Sequence, residues 1–369
     1  MVSPKNRAVL WARGAGRCHC CNTSLIGDYI SGNEDSNFGF VAHIVGEKPT
    51  SPRGDPIRSP LLADDVSNLM LMCYPHHKLI DVDELPNYPE QRLLDMKALH
   101  EDRIAILSDI TADKATHVLR YAAKIGDHTS PVSFARVRGA VLPNRYPAGG
   151  RSIGIEIVGS AATDGEEAFW RTEPENLRRQ FQRLIRERID AHEIQHLSVF
   201  ALGPIPLLVE LGRLLGDITP ADVYQLHREP TPGWTWAEDG LRIEYEVVRP
   251  SDVRKAVALK LGISATVTDE RIAAVLGQDV SIWSLTAKTP GNDVMRYRED
   301  LTEFRRLMRG LYNDIKAQHG EAVTIHVFPA VPNSVAVELG RVRMPKADLP
   351  LLVYDQVPNT PFHPRLLIA

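Results

Sequence analysis

Two stretches of the sequence repeat one another at a separation of 128 positions. Residues 199–213 read VFALGPIPLLVELGR and residues 327–341 read VFPAVPNSVAVELGR, which share a Val-Phe pair, a proline and the run Val-Glu-Leu-Gly-Arg. These identities at one offset argue against chance, and a repeated unit must be recognised before a fold is assigned. The repeat constrains the fold because the second copy should adopt the structure of the first.

The segments around the two stretches also correspond. Apolar runs at 153–159 and 280–286 are each followed by a polar, glycine-containing loop and an amphipathic helical pattern, and short apolar runs come later at 221–225 and 351–356. Each copy therefore predicts strand, loop, helix, strand, proline loop, helix and strand. Strands that alternate with helices at this spacing predict a parallel sheet with right-handed crossovers.

The repeat also sets the predicted domain boundaries. We expect an N-terminal domain over residues 1–112 and a second domain over 113–369 that consists of two fused Rossmann-like halves. The segments predicted in the second domain are a connector at about 113–150, a first half at about 151–230, an insert at about 231–278 and a second half at about 279–369. Neither copy opens with G-x-G-x-x-G, so a dinucleotide redox cofactor is not indicated.

All four cysteines lie within the first 73 residues of the chain. Such clustering in one segment of a long chain favours metal ligation over a disulfide framework. Cys18-x-x-Cys21 and Cys73-x-x-His76 form two knuckles that supply four ligands for a tetrahedral structural Zn²⁺. Cys20 is the alternative to Cys21, but a two-residue spacer closes a knuckle with less strain.

Three further polar residues lie near these knuckles. His77 follows a predicted zinc ligand directly, and on a helix it would point about 100° away from His76, so it cannot easily bind the same ion. His77 is therefore a candidate ligand of a second, catalytic ion. His43 lies in the apolar run GFVAHIV. Taken alone, a histidine in such a run is more often a strand residue without a catalytic role. Asn68 precedes the second knuckle.

The order of His43, Asn68 and His77, between the CxxC and CxxH knuckles, resembles that of the HNH endonucleases over residues 14–82. The resemblance implies a ββα-metal fold in which His43 is the general base that activates water. It implies that Asn68 holds the loop that orients this base, and that His77 binds a catalytic divalent ion such as Mg²⁺. A neutral imidazole near pH 7 suits proton abstraction from water.

One position departs from the pattern of that family. Many HNH enzymes carry Asp or His directly before the general base as a second metal ligand, whereas this chain has Ala42. The remaining ligands must then come from elsewhere, and Asp81 and Glu47 are the candidates.

Bulk charge argues weakly against a protein that binds nucleic acid constitutively, because the formal net charge is −4 at pH 7. A local patch of Lys48, Arg53, Arg58 and Lys78 could still contact DNA phosphates. For each of these residues alone, a solvated loop face is an equally good interpretation. No base-reading pattern is evident, so cleavage would have little sequence preference.

The chain as a whole resembles the HNH–SAVED effectors of bacterial CBASS anti-phage systems. The resemblance rests on AHI and CxxHHKLID in the first domain, and on HLSVFALGPIPLLVELG, WTW and HVFPAVPNSVAVELGR…LLVYD in the second. It implies an α+β, zinc-stapled HNH domain followed by an α/β SAVED domain made of two fused CARF-like halves. It also implies a nuclease that a cyclic di- or trinucleotide activates, that cuts double-stranded DNA, and that forms ligand-dependent dimers or tetramers.

Ligands of open α/β sheets bind beyond the carboxyl ends of the strands, which here correspond to the predicted loops 159–170, 201–206, 287–298 and 329–334. Lys288 could pair with a phosphate of the ligand. Pro332, Asn333 and Ser334 open a helix whose N–H groups could bind a phosphate, although Asn333 and Ser334 could equally be plain N-caps. Trp236, with Trp234, could stack on a base, although an equally good interpretation places one of the two in the core and leaves the other exposed.

Two alternatives remain open at this point. The HNH fold could be degenerate, which would leave a ligand-controlled DNA-binding regulator. The SAVED region could also degrade its own cyclic nucleotide, although its four loops contain no clear acid–base pair. Neither a membrane-length apolar run nor a signal-peptide pattern is present, so we expect a cytoplasmic protein without a membrane partner.

Overall fold

The chain divides into two compact units, Met1–Thr111 and Ala112–Ala369. This computed structural model describes residues 2–27, 37–125, 132–157, 162–356 and 360–369. Of the helices in those ranges, none has both the length and the apolar character needed to cross a bilayer. Each unit has its own buried core.

The N-terminal unit is a small fold of helices and one hairpin. Its elements in chain order are α1 (Pro4–Arg13), β1 (Phe40–His43), α2 (Arg58–Leu62), β2 (Leu69–Met72), α3 (Tyr74–Lys78) and α4 (Glu90–Ser108). The two strands pair antiparallel, with His43 opposite Leu69. All four residues of β2 are buried, in a core that they share with Leu10 of α1 and Leu93 of α4. The hairpin and α3 together give the order strand, strand, helix.

The C-terminal unit contains eleven strands and seven α-helices in its described residues. Its elements in chain order are β3 (Ala115–Ala123), α5 (Phe134–Val137), β4 (Tyr146–Pro147), β5 (Ile153–Ile157), α6 (Glu167–Phe181), α7 (Glu187–Asp190), β6 (Leu197–Leu202), α8 (Ile205–Leu215), β7 (Ala221–Tyr224), β8 (Tyr245–Val248), β9 (Ala256–Gly262), α9 (Asp269–Leu276), β10 (Val280–Ala287), α10 (Arg298–His319), β11 (Ile325–Ala330), α11 (Asn333–Val342), β12 (Leu351–Asp355) and β13 (His363–Ile368).

These strands form two mainly parallel sheets. In the first sheet, four parallel strands lie in the order β5-β3-β6-β7, and the short β4 also pairs with β3. In the second sheet, the parallel strands β10-β9-β11-β12 are bordered by the antiparallel strands β8 and β13. The expected α/β fold with parallel strands is confirmed in this unit.

The repeat in the sequence is also a repeat in the structure. Strand β6 and helix α8 recur as β11 and α11 at the offset of 128 positions. In each half, two aromatic rings stack and a third packs edge-on against the phenylalanine of the pair. The two trios are Phe200, Tyr224 and Trp234 in the first half, and Phe328, Tyr354 and Phe362 in the second.

Helices α8 and α11 contact each other at two glycines. A Cβ atom on Gly212 would lie 1.9 Å from the carbonyl oxygen of Val337, and one on Gly340 would lie 1.9 Å from the carbonyl oxygen of Val209. Only a residue without a Cβ atom allows two backbones to approach this closely. Because the contact is reciprocal, the two halves are related by an approximate two-fold axis.

The two helices run in the same direction along this contact. At the start of α11, the N–H of Ser334 donates to the side-chain oxygen of Gln225, which directly follows β7. At the end of α11, Arg341 donates to the carbonyl oxygens of Thr219 and Ala221, where the chain enters β7. Both helices therefore begin near the carboxyl ends of parallel strands, which is the ligand-binding edge of such sheets.

Two central strands lie outside the halves predicted from the sequence. Strand β3 is in the predicted connector and β9 is in the predicted insert, so both halves begin earlier than expected. His117 on β3 pairs with Leu197 on β6, and Val257 on β9 pairs with Ile325 on β11. Leu197 and Ile325 correspond to each other in the repeat. Equivalent positions of β3 and β9 are therefore 140 residues apart. Loops of unequal length shift this offset away from 128, and a comparison at one offset therefore misses the pair.

Candidate functional site

The cysteines of the first unit form a cluster with one histidine. Among the described residues, Cys18, Cys21, Cys73 and His76 are the group of metal-type side chains whose ligand atoms all lie within 4.8 Å of one another. The Sγ atoms of Cys21 and Cys73 are 3.9 Å apart, and Cys73 Sγ lies 3.1 Å from His76 Nδ1. Cys20 does not belong to the group.

This set of donors fits a zinc ion. Two sulfur ligands at about 2.3 Å from a tetrahedral ion are roughly 3.8 Å apart, close to the observed Cys21–Cys73 separation. None of the four cysteines forms a disulfide. Burial raises the pKa of the Cys73 thiol to about 12, and a bound cation would reverse that preference by stabilising the thiolate. Cys73 caps helix α3, so the helix holds it beside His76.

The side chain of Asn68 fixes the chain that follows β1. It is only 4% exposed. Its Oδ1 accepts the N–H of Val45 at 2.7 Å, while its Nδ2 donates to the carbonyl oxygen of Val45 at 2.8 Å and to that of Leu62 at 3.3 Å. The amide therefore satisfies both backbone groups of a residue two positions after His43.

His43 lies at the end of β1 and is partly exposed. Its Nε2 is 3.0 Å from the carbonyl oxygen of Ala63. Since a carbonyl can only accept, Nε2 carries the proton in this contact, and Nδ1 is the nitrogen with a lone pair. This tautomer is the one in which Nδ1 can take a proton from water.

His77 lies on α3, outside the zinc-type cluster. Its ring stacks on Phe40, with the centroids 5.4 Å apart and the planes 10° from parallel. Its Nε2 is 3.3 Å from Asp81 Oδ2. In the described part of the chain, neither Asp81 nor Glu47 joins a group of three or more close metal ligands. Of these two candidates, Asp81 is the one that the structure brings to His77.

Arg53 differs from the expectation that it contacts DNA. Its guanidinium donates to the carbonyl oxygens of Ile44 at 2.7 Å and Ile80 at 2.9 Å, and it pairs with Asp81 at 2.5 Å. Its side chain is 10% exposed. Because these partners use its donors, Arg53 joins the chain after β1 to the chain after α3, and a DNA phosphate would have to displace them.

The other three predicted phosphate contacts are exposed. Lys48 lies in a surface loop. Arg58 forms a surface ion pair with Glu90, and Lys78 lies 3.6 Å from Asp83. Surface pairs of this kind are worth little energy, so these side chains can exchange partners readily.

The start of α11 holds three of the predicted ligand residues in the second unit. Pro332 caps the helix and Asn333 is its first, partly exposed residue. Ser334 is 1% exposed, and its N–H is already bonded to Gln225 at 3.0 Å. Its Oγ has no hydrogen-bond partner among the described residues. Ser334 is therefore a buried residue of the interface between the halves.

Lys288 lies one residue beyond β10, at the carboxyl edge of the second sheet. Its backbone N–H donates to the carbonyl oxygen of Glu244 at 2.9 Å, and its Nζ lies 2.8 Å from the carboxylate of the same residue. The pair is exposed, so a phosphate could compete for this ammonium group. Of the predicted loop 159–170, residues 159–161 lie outside the described residues.

The two tryptophans of the WTW motif belong to the interior. Trp234 is 5% exposed and packs edge-on against Phe200, so its face cannot stack on a base. Trp236 is partly buried and packs edge-on against His227, with centroids 5.7 Å apart. The indole Nε1 of Trp236 has no hydrogen-bond partner among the described residues.

No pattern in the sequence indicated a cavity that lies between the loop after β7 and Arg296. Its volume is about 400 Å³, and its lining residues are His227, 229–233, Thr235, Ala237 and Arg296. Segment 227–237 follows β7, and Arg296 lies between β10 and α10. We refer to this cavity as the junction pocket, because its lining comes from the segment after β7 of the first sheet and from the segment after β10 of the second.

The model of the SAVED family, described as the SMODS-associated and fused to various effectors sensor domain, matches residues 177–368. The comparison with curated proteins found no match.

Solved structures of Cap4 SAVED/CARF-domain containing receptors are similar to the chain. The Acinetobacter baumannii receptor with the cyclic trinucleotide 3′3′3′-cAAA has 9% identity and a TM-score of 0.44, over 75% of this chain and 59% of that one. The Moraxella osloensis receptor has 8% identity and a TM-score of 0.41, over 76% of this chain and 58% of that one. The chain thus spans less than two thirds of the length of these receptors.

The family match covers just over half of the 369 residues, from within α6 to the end of β13. The chain therefore belongs to the SAVED family of sensor domains.

Proposed function

We propose that this protein is a metal-dependent DNA endonuclease that a cyclic oligonucleotide activates in bacterial CBASS-type anti-phage defence. The observation that carries the nuclease assignment is the position of His43. Ala63 holds its ring through Nε2, and the buried amide of Asn68 fixes the chain two residues later. A strand histidine that merely filled space would need neither restraint.

In this proposal, His77 and Asp81 would hold the catalytic ion. The ligands of an octahedral ion with bonds of about 2.1 Å are roughly 3 Å apart when adjacent. The observed 3.3 Å between His77 Nε2 and Asp81 Oδ2 is near that spacing, and longer than the 2.7–2.9 Å of a charge-assisted hydrogen bond. Asp81 would thereby supply the ligand that is missing at Ala42. Mg²⁺ keeps several waters and would need few protein ligands.

The residues then have separate tasks in phosphodiester hydrolysis. His43 Nδ1 accepts a proton from water, whose oxygen attacks phosphorus as the bond to the 3′-oxygen breaks. A divalent ion at this position would supply neutralisation of the phosphate and of the leaving oxygen. Arg53 orients Asp81 and ties it to the carbonyl oxygen of Ile44, next to His43. The Cys₃His cluster holds α3, and with it His77.

In this proposal, the SAVED unit regulates the nuclease activity. Two related sheets join so that their ligand-binding edges lie on one side of the α8–α11 contact, which suits a ligand with repeated phosphate and base groups. A ligand shifts an equilibrium only by its difference in affinity for the two states. We propose that ligand binding changes packing between protomers and brings nuclease units together, and that the liganded assembly engages DNA more than once.

Plasmid degradation tests the proposal. The full-length protein is incubated with supercoiled DNA and Mg²⁺, with and without a panel of cyclic di- and trinucleotides. We expect cutting with one ligand only, and a loss of at least about 10²-fold in the variant His43→Ala, because the general base is removed. The exposed His363 lies on β13, and His363→Ala serves as the matched control that should cut like the wild type.

Each other outcome contradicts a defined part of the proposal. Cutting without any ligand would support the nuclease activity and contradict its activation by a cyclic oligonucleotide. Ligand-dependent DNA binding without cutting would reject the nuclease and favour the regulator with a degenerate HNH fold. Equal cutting by the wild type and by His43→Ala would reject His43 as the base.

A further inference from the structure

Three exposed aromatic side chains of the N-terminal unit lie around one cavity of that unit. Phe38 is 49% exposed, Phe40 is 41% exposed and Tyr74 is 61% exposed. All three line a cavity of about 780 Å³, and we refer to them together as the aromatic wall. Large apolar side chains that are exposed together commonly mark an interaction surface. The aromatic wall is therefore a candidate interaction surface.

The aromatic wall is continuous with the proposed nuclease site. In the hairpin, Phe40 pairs with Met72, and Tyr74 follows two residues later as the first residue of α3. The centroids of the Phe40 and Tyr74 rings are 5.8 Å apart. The ring of Phe40 also stacks on His77, with the centroids 5.4 Å apart. A nucleotide whose phosphate lay at His77 would thus have its base within reach of the aromatic wall.

The chemistry of the cavity favours a nucleobase as its occupant. Every base has a π-face that stacks on an aromatic ring, so such stacking tolerates any sequence, as a nuclease with little sequence preference needs. Thr23 and Asn37 are exposed residues that also line the cavity, and they bring hydroxyl and amide groups to the edge of a base. A volume of about 780 Å³ is within the usual range of ligand cavities and is sufficient for one nucleotide.

A base of double-stranded DNA reaches such a cavity only after it leaves the stack. Leaving the stack costs free energy, and the cost is least for a base that is mismatched or already unpaired. Stacking on aromatic side chains offsets part of this cost. A protein that binds an extruded base therefore prefers DNA in which that base has no pairing partner.

We propose that the aromatic wall binds a base that has left the duplex beside the cleaved phosphate, with Tyr74 and Phe40 as the stacking residues. This inference rests on the proposed function, because it describes how the same site holds its DNA substrate. Phe40 also contacts His77, so a change at Phe40 would disturb the ion site as well. Tyr74 is the more exposed of the two and is the residue to change.

Equilibrium binding of labelled DNA tests the aromatic wall. The zinc-loaded, full-length variant His43→Ala, which lacks the proposed base, is mixed with Mg²⁺ and, in separate samples, with cyclic di-AMP, cyclic di-GMP, 3′,3′-cyclic GMP–AMP or 3′3′3′-cAAA. Fluorescence anisotropy compares a fully paired duplex with the same duplex in which one base lies opposite an abasic site. We expect the unpaired base to tighten binding at least about fivefold.

Two variants at one position separate stacking from a general loss of apolar surface. In the same background, Tyr74→Leu should remove most of the preference for the unpaired base, because leucine has no aromatic face. Tyr74→Phe keeps the ring and should keep the preference. Both variants should bind the fully paired duplex like their parent. Leu61 is 74% exposed and lies outside the lining of the cavity, so Leu61→Ala is the control that should retain the preference.

Two results would overturn the inference and leave the nuclease assignment intact. The first is equal affinity for the two duplexes, or a preference that is unchanged in Tyr74→Leu. The second is a loss of ligand-dependent assembly in Tyr74→Leu, measured by sedimentation, with the DNA preference unchanged. That result would assign the aromatic wall to contact with a second copy of the chain.

The failure of the proposed function would be visible separately in the plasmid assay. A preference for the unpaired base that Tyr74→Leu removes, in a protein whose wild type cuts no plasmid, would support the aromatic wall and reject the nuclease. A protein that binds neither duplex with any of the cyclic nucleotides would reject the aromatic wall together with the DNA substrate.

Discussion

At the residue scale, the proposed nuclease site depends on side chains that bind backbone rather than substrate. Asn68 satisfies both backbone groups of Val45, and Arg53 joins the carbonyl oxygens of Ile44 and Ile80. Buried polar groups contribute most when every donor and acceptor is paired. The position of His43 therefore depends on two residues that never need to touch DNA.

The first prediction concerns the buried amide. Asn68→Ala leaves the N–H and carbonyl group of Val45 unpaired in the interior, so we expect the free energy of unfolding of the N-terminal unit to fall by about 2–4 kcal/mol. Urea denaturation of the zinc-loaded protein measures this change. The control is Asn87→Ala, at an exposed position. Equal destabilisation by the two variants would contradict the role of Asn68.

A second prediction concerns His196, which precedes β6 and is 7% exposed. Burial lowers its pKa to about 4, while Asp222, 3.7 Å away, acts in the opposite direction. Between pH 6.5 and about 4 the unfolded chain binds more protons at this residue than the folded chain. The contribution of His196 to the free energy of unfolding is thus fully present above pH 6.5. It is lost as the pH falls from 6.5 to about 4, and the loss is at most about 3 kcal/mol.

The variant His196→Gln should therefore show a smaller loss of stability between pH 7 and pH 5 than the wild type. Urea denaturation of the C-terminal unit at both values measures the difference, and His363→Gln, at an exposed position, is the matched control. An unchanged dependence on pH in His196→Gln would show that His196 titrates normally in the folded protein.

At the scale of elements, the joined halves depend on the close contact between α8 and α11. Gly212 and Gly340 occupy equivalent places in the repeat, and each lies against a backbone carbonyl of the other helix. The run Val-Glu-Leu-Gly-Arg thus recurs because both copies supply one half of the same interface. Strands β3 and β9 lie away from that interface and have diverged in sequence and spacing.

The third prediction tests this contact. Gly340→Ala places a methyl group where the carbonyl oxygen of Val209 lies, and we expect a loss of about 3 kcal/mol or more in the unfolding free energy of the C-terminal unit. Gly310 in α10 is the matched control, since an added Cβ meets no atom of the described residues within 4 Å. Gly310→Ala should be neutral or stabilising by up to about 1 kcal/mol. Similar thermal transitions for both variants would contradict the close contact.

At the scale of the whole molecule, two units with separate cores depend on different sources of stability. The C-terminal unit buries a large apolar core between its sheets and helices. The N-terminal unit has a smaller core and the Cys₃His cluster. Small folds of this kind commonly need a metal to be stable, because their apolar core alone contributes little.

The fourth prediction follows from this difference. Removal of zinc by a chelator should unfold the N-terminal unit and leave the transition of the C-terminal unit unchanged, and calorimetry with metal analysis would follow both. Cys73→Ser should lose zinc, whereas Cys20→Ser, outside the cluster, should retain one ion per chain. Loss of zinc from Cys20→Ser would contradict the ligand set.

The sequence by itself determined the features that depend on local spacing or on identity between the copies. A two-residue spacer brings Cys18 to Cys21 and Cys73 to His76 with few long-range requirements. The repeat at offset 128 predicted β6, α8, β11 and α11, because both copies keep the residues of one interface.

The tertiary structure decided what depends on contacts between distant segments. It made Trp234 a core residue, turned Arg53 inward to Asp81, buried Ser334 against Gln225 and brought His227 and Arg296 to one pocket. The central strands β3 and β9 are also features that the tertiary structure decided, since their pairing partners lie far away in the chain. Such partners are chosen by burial and by packing across the sheets, and no local pattern in the sequence records that choice.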